Sequence, residues 1–416
     1  MGRSLRVALL SYRSRPHSGG QGVYVRALAR ELRELGHRVE VVSGQPWPEL
    51  DDGVPLTRLP SLDLYREPDP FRTPRLREFR DWVDVAEFAT MCTAGFPEPL
   101  TFSLRAARLL RQRAGEFDLV HDNQSLGWGL LSIRRSGLPV LATVHHPVAV
   151  DRALELAAAP GLRRRVTLHR WYAFTGMQAR VARRLDALTT VSASSRDDIE
   201  RLMGVPAGQV EVIGVGIDPV AFAPPPSPVW RDGDHVVVTT SADVPLKGLV
   251  PLLEAVAKLR TEREVRLTVV GAARPGGPAA AAVERLALGD AVRFTGPLPE
   301  AELVTLLQTA TVAAVPSLYE GFSLPAVEAM ACATPLVTTD AGALPEVVGP
   351  AALVVGAGDV GALAGALGTV LDSPRLQDSL GRAGRARVLE HFTWRATATR
   401  TADWYAEVLD RRARGC

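Results

Sequence analysis

The chain has 416 residues, 46% of them hydrophobic and 23% charged, which describes a folded protein and, at roughly 100–200 residues per domain, predicts two domains. Lys and Arg number 48 against 46 Asp and Glu, a net charge of +2, which excludes a whole-chain nucleic-acid binder and leaves room only for a local basic patch. Cys92, Cys332 and Cys416 form an odd set with no C-x-x-C, which excludes a disulfide framework and a structural zinc site and fits a reducing compartment.

In chain order, the apolar run Val7 to Leu10 is too short for the core of a signal peptide. No later stretch approaches the roughly 20 apolar residues of a membrane span, so a cytoplasmic protein is expected. Arg6 to Leu10 predicts a strand. After it come the loop Gly19-Gly20-Gln21-Gly22 and a helix in which Tyr24, Leu28, Leu32 and Leu35 share one face, up to Gly36. Further strands are predicted at Val39 to Val42, Leu119 to His121, Val140 to Val144, Leu188 to Val191 and Val210 to Val215. Residues 46 to 100 are rich in proline and weakly periodic, and predict only loops and short helices. The run Pro224-Pro225-Pro226-Ser227-Pro228 can continue neither helix nor sheet and reads as a stiff linker. Beyond it the pattern restarts with Val236 to Val238, Leu267 to Val270, Val292 to Phe294, Val312 to Val315, Leu336-Val337 and Leu353 to Val355. A final helix is predicted from Phe392 to Arg412. Strands alternating with helices predict parallel sheets, with chemistry at the carboxyl ends of the strands. The predicted class is α/β, two Rossmann-like doubly wound domains facing each other across a cleft. The expected division is 1–222, a linker at 223–228, 229–390, and a C-terminal helix at 391–416 packing back on the first domain.

The segment from Pro316 to Cys332, Pro-Ser-Leu-Tyr-Glu-Gly-Phe-Ser-Leu-Pro-Ala-Val-Glu-Ala-Met-Ala-Cys, leaves an apolar strand, turns at Gly321 and enters a helix with Pro325 in its first turn. A helix start directs free N–H groups and a positive dipole end at an anion. Glu320 and Glu328 add two carboxylates, which when ionised only accept hydrogen bonds and therefore suit sugar hydroxyls. The plainer alternative is a capped helix with two solvated glutamates. No D-x-D leaves a strand end and no H-E-x-x-H or G-x-S-x-G occurs, so metal and serine-hydrolase readings are unsupported; the loop Gly19-Gly20-Gln21-Gly22 is not G-x-G-x-x-G, which weakens a dinucleotide reading.

Glu320, seven residues, then Glu328, within E-G-F-S-L-P-A-V-E-A-M-A, resembles the E-x7-E signature of retaining family-4 glycosyltransferases of the GT-B fold. In order along the chain, Gly19-Gly20 resembles that family's glycine loop and Thr143-Val144-His145 its T-x-H strand end. Pro245-Leu246-Lys247-Gly248 resembles its P-x-K-G element, and Gly342-Ala343-Leu344-Pro345-Glu346 its G-x-x-P-E turn. The resemblance implies a retaining hexosyltransferase that moves a sugar from a nucleotide diphosphate to an acceptor hydroxyl, with no cofactor and no metal. It implies that Glu328 binds the ribose and Glu320 the transferred sugar, and that Lys247 neutralises the leaving diphosphate. Amides of Gly321, Phe322, Ser323 and Leu324 would hold sugar and phosphate oxygens. Gly19 and Gly20 would contact phosphates or the acceptor, and His145 would lie near the anomeric carbon. His121 and Asp122, at another strand end, are secondary candidates.

The sequence departs from the family pattern in three places. Thr239 to Val244 holds no arginine ahead of Lys247, leaving Arg274 or another residue to supply a second cation. Ala333 and Ala341 stand where glycine is usual. A GT-B epimerase or phosphorylase, and a non-catalytic sugar-nucleotide-binding relative, are the alternative functions. From Gly161 to Leu185 there are arginines at 163, 164, 165, 170, 180, 183 and 184, with Trp171, Tyr172 and Phe174 among them. That pattern suits peripheral contact with an anionic membrane or an anionic acceptor. The alternative is a solvated helix whose aromatics face the core.

Overall fold

A computed structural model describes residues 4–14, 20–226 and 233–414. Gly19, Ser227, Pro228 and Cys416 lie outside them. The chain divides into two compact units. The first contains 1–191, 195–213 and 397–416, and the second 192–194 and 214–396.

In the first unit seven parallel strands stand in the order β3-β2-β1-β4-β5-β6-β7. They are β1 (Arg6–Ser11), β2 (Arg38–Ser43), β3 (Leu56–Arg58), β4 (Leu119–Asn123), β5 (Val140–Val144), β6 (Ala187–Thr190) and β7 (Val210–Val212). Both β4 and β5 are buried at every position, as parallel strands covered on both faces must be. The helix Gly20–Glu34 follows β1 and buries Tyr24, Leu28 and Leu32, the face its spacing predicts.

The second unit holds six parallel strands in the order β10-β9-β8-β11-β12-β13. These are β8 (Asp234–Thr239), β9 (Val265–Val270), β10 (Val292–Phe294), β11 (Val312–Val315), β12 (Leu336–Thr339) and β13 (Leu353–Val355). Both orders reverse direction once, between β1 and β4 and between β8 and β11. Such switch points open a crevice at the carboxyl ends of the strands.

Residues 46–100 contain more structure than their sequence predicts. They include β3, the eleven-residue helix Trp82–Cys92 and the start of the helix Glu98–Gln112. The first of these helices is capped by Asp81, whose carboxylate accepts from the Val83 and Asp84 amides. Its inner face carries Asp84 and Glu87, both buried and both bonded by Arg105. A helix that buries two acids on an arginine has no apolar period to read.

The units meet along the chain at Ile213 and Gly214, ahead of the proline run. Residues 214–222 group with the second unit because Ile217 pairs with Thr393 and its amide donates to the Phe392 carbonyl at 2.8 Å. The Arg385 guanidinium also donates to the carbonyls of Phe222 and Pro219. The last helix, Trp394–Arg414, belongs to the first unit from Thr397 onward. Its Tyr405 is fully buried, and the hydroxyl lies 2.6 Å from His121 Nδ1, while His121 Nε2 lies 2.7 Å from Thr143 Oγ1. Burial pushes His121 down to about 3, so the ring is neutral and both nitrogens are occupied.

Replacing Tyr405 with Phe leaves His121 Nδ1 buried without a partner. An unmet buried polar atom costs about 1–3 kcal/mol, so the variant is expected to unfold at lower urea with an unchanged slope, followed by tryptophan fluorescence. A midpoint equal to that of the wild type would show that the hydroxyl contributes nothing.

Candidate active site

In the second unit the switch point is built from the loops that leave β8 and β11. The first ends in a single 3-10 turn, Pro245–Lys247, and reverses at Gly248, whose φ is +67°. A Cβ at Gly248 would sit 1.8 Å from the Pro316 carbonyl oxygen, so the two loops close only around a glycine. The Leu318 amide then donates to the Leu246 carbonyl at 2.7 Å. This pairing brings Lys247 Nζ to 2.8 Å from Glu320 Oε1, and Ser317 Oγ donates to the same oxygen at 2.8 Å. Thr339 Oγ1 holds the Ser317 carbonyl at 2.5 Å. On the other side Gly342, at φ +57°, passes so close that a Cβ would lie 2.2 Å from the Glu320 carbonyl oxygen. The Ala343 amide donates to that oxygen at 2.9 Å. Glu320 is 7% exposed and Lys247 half-buried. Sequence reading gave these two residues separate ligand contacts, and here they form an ion pair with each other.

Gly321 to Leu324 turn the chain into the helix Leu324–Ala331. The Gly321 carbonyl accepts from Ser192 Oγ at 2.6 Å. Ser323 occupies the N-cap position at φ +85°, ψ +82°, a conformation that costs a non-glycine residue roughly 1–3 kcal/mol and clusters at functional sites. Its hydroxyl is buried with no partner among the described residues. Phe322 packs edge-on against Phe392 with centroids 5.6 Å apart. The first amides of the helix have no partner within it and lie beside the orphaned hydroxyl.

Glu328 lies one turn inside this helix, half-buried, and its carboxylate has no hydrogen bond or ion pair among the described residues. Burial, and then the charge of Glu300, pushes its carboxyl up to about 7. Such a group is poised to accept hydrogen bonds that favour its ionised form. Glu346, the acid of the G-x-x-P-E turn, has a fixed structural task. Its carboxylate accepts from the amides of Ala193 and Ser194 at 2.9 and 3.0 Å.

Arg274 does not stand free as a second cation. Its amide and its Nε both lie on Asp243 Oδ2, at 2.7 and 3.4 Å, with the side chain exposed to solvent. Asp243 lies in the arginine-free stretch before Lys247, so the charge of Arg274 is already balanced there.

In the first unit His145 follows β5. Its amide donates to Gln124 Oε1 at 2.7 Å, and its Nε2 lies 2.5 Å from Asn123 Oδ1. Tyr24 meets the ring edge-on at 4.5 Å. Burial pushes the imidazole down to about 4, so at neutral pH it is an uncharged ring. With Nε2–H donating to Asn123, Nδ1 is an acceptor. Asn123 Nδ2 is buried with no partner among the described residues.

Gly20 opens the helix Gly20–Glu34. His121 and Asp122 do not offer groups to a ligand. His121 is held between Tyr405 and Thr143, and Asp122 is fully buried on the Ser125 hydroxyl and the Leu126 amide. They support the loop that carries Asn123 and Gln124, two residues the sequence reading passed over although they directly follow His121-Asp122 at the same strand end.

The basic segment 161–185 is two helices, Gly161–Trp171 and Phe174–Ala182. Its aromatics turn inward: Trp171 packs on Phe96 and Tyr65, and the Tyr172 hydroxyl donates to Glu155. Among the described residues no helix is long and apolar enough to cross a membrane. Nor do three His, Cys, Asp or Glu side chains converge as metal ligands there.

Residues 18–220 match the family model described as Glycosyltransferase Family 4, and residues 225–387 match that of Glycosyl transferases group 1. The chain is 52% identical to the MMP alpha-(1->4)-mannosyltransferase of Mycolicibacterium hassiacum, covering 98% of this chain and 100% of that protein. It is 30% identical to the glycogen synthase of Mycobacterium tuberculosis, covering 96% and 94%. Among solved structures, sucrose-phosphate synthase from Thermosynechococcus elongatus superposes with a TM-score of 0.71 at 24% identity, over 98% of this chain and 100% of that one, a likeness of fold. With that identity along nearly its whole length, the chain belongs to the family-4 glycosyltransferases of the GT-B fold.

Proposed function

We propose that this glycosyltransferase is a retaining mannosyltransferase, moving mannose from a nucleotide-diphosphate donor to a sugar hydroxyl and forming an α-(1→4) bond. The Lys247–Glu320 pair at the switch point, with the unpaired Glu328 one turn into the helix that follows, carries the transferase part of the reading. The choice of mannose rests on the whole-chain likeness to the M. hassiacum enzyme.

In this mechanism the second unit takes the donor. Ribose hydroxyls donate to Glu328, and the sugar hydroxyls donate to Glu320. The Lys247 ammonium turns from Glu320 to the diphosphate. Amides from Gly321 to Leu324, with the Ser323 hydroxyl, complete an anion seat. The bond from the anomeric carbon to the phosphate oxygen breaks, and the acceptor oxygen bonds to that carbon on the same face. The acceptor proton passes to the departing diphosphate. Lys247 and backbone dipoles supply the charge stabilisation without a metal or cofactor. His145, neutral, holds a sugar or acceptor hydroxyl through Nδ1. The first unit takes the acceptor. The exposed face of the helix Gly161–Trp171, where Leu162 and Val166 stand one turn apart beside Arg163 and Arg165, is proposed as a peripheral contact with an anionic membrane.

The test is incubation with mannosyl and glucosyl nucleotides and a mannoside acceptor, with the product anomer read by NMR. An α-linked mannoside is expected, and a β-linked product overturns the mechanism. Turnover of the donor without any acceptor would point instead to an epimerase, and a requirement for free phosphate to a phosphorylase. Lys247→Ala is expected to lower kcat by about 10²–10³, the usual effect of losing one preorganised charge stabiliser.

Donor affinity should rise with pH through about 7, because bound hydroxyls favour ionised Glu328 and binding therefore releases its proton. In Glu328→Gln that slope should vanish, as read by calorimetry from pH 5.5 to 8.5. His145, neutral above about 4, should add no step in this range.

A further inference from the structure

Connections that enter the amino ends of β5, β6 and β7 form a pocket of about 280 Å³ in the first unit, at the edge of the sheet opposite the carboxyl ends that carry His145. Arg134 and Arg135, in the last turn of the helix Trp128–Arg135, line it together with Arg183 and Arg184, which follow the helix Phe174–Ala182. The C-terminal helix brings a fifth guanidinium to this edge, with Arg412 donating to the Gly137 carbonyl at 3.0 Å and lying 3.4 Å from Asp186. Arg134 shares that same carboxylate at 3.2 Å. Among the described residues Asp186 is the only acid bonded to any of the five, and its other oxygen accepts the Val140 amide. Arg135 has no partner among the described residues.

Three of the four lining guanidinium groups are tethered, Arg134 by Asp186 and the other two by backbone carbonyls. Arg183 donates to the Met203 carbonyl at 3.2 Å and Arg184 to the Arg180 carbonyl at 3.0 Å. One N–H of each is thus engaged by backbone, and the others remain to bind a ligand. Four positive planar forks around a small concavity repel one another in the absence of an anion and match a tetrahedral dianion when one is present. Helix C-termini favour arginine, which accounts for Arg134 and Arg135 singly. It does not account for arginines from separate connections lining one pocket.

We propose that this pocket binds a phosphate or pyrophosphate group, free in solution or carried by a lipid headgroup, at a site separate from glycosyl transfer.

The test uses full-length protein and inorganic pyrophosphate, measured by calorimetry in the Lys247→Ala background so that binding at the donor site is weakened. A binding event that persists there, and that Arg135→Ala with Arg184→Ala weakens by about tenfold or more, supports the proposal; the loss corresponds to about one charge-assisted contact. In parallel, wild type and the Arg135→Ala/Arg184→Ala variant are sedimented with phosphatidylglycerol-containing and pure phosphatidylcholine vesicles. Loss of phosphatidylglycerol binding in the variant, with no pyrophosphate event, assigns the group to a headgroup. The pyrophosphate event without any vesicle effect assigns it to a soluble phosphate. No difference between variant and parent in either arm, or an equal thermal shift from sodium chloride at matched ionic strength, overturns the proposal. Without anion the variant should melt within a degree or two of wild type, since it loses one exposed hydrogen bond, Arg184 to the Arg180 carbonyl, and gains relief of like-charge repulsion, and this separates site loss from misfolding.

Discussion

The absence of a side chain at Gly248 is the constraint around which the second unit's site is assembled. Strands β8 and β11 are neighbours, but the loops that leave them converge only because the Pro316 carbonyl can lie against a bare α-carbon. That approach carries Lys247 to a glutamate 73 residues further along the chain. Gly342 repeats the device from the other side and fixes the backbone of Glu320. Two glycine contacts therefore set the backbone from which Glu320 projects, and Lys247 and Ser317 then hold its carboxylate.

The two units offer different chemistry. The second presents formal charge, a buried hydroxyl and unfilled helix amides around a strained Ser323. The first presents neutral groups, an imidazole kept uncharged by burial and the amide side chains of Asn123 and Gln124. A glycosyl diphosphate concentrates negative charge on its leaving group, whereas an acceptor sugar carries none. This division of polarity is a physical ground, independent of any relative, for the proposed donor and acceptor assignments.

Strands were legible where every face is apolar. Val140 to Val144 and Val312 to Val315 stand where their composition placed them. The Trp82–Cys92 helix was not legible, because its buried face carries Asp84 and Glu87, neutralised by an arginine from another helix. The glutamates and Lys247 could be read as a motif, but their mutual bond could not, since it depends on a loop crossing rather than on spacing. His121 shows the converse. A histidine at a strand end looked available to a ligand, and only the fold reveals a tyrosine 284 residues later closing over it.

That tyrosine has a consequence for biogenesis. The seven-stranded sheet has its strands in hand by Val212, yet the group that satisfies His121 arrives on the helix that follows the whole second unit. A nascent chain emerging from the ribosome must therefore carry an unfinished first unit, with a polar atom awaiting its partner, while the second unit is made. Vectorial synthesis thus favours completion of the later unit before the earlier one, and chaperone engagement should centre on the exposed seat of the last helix.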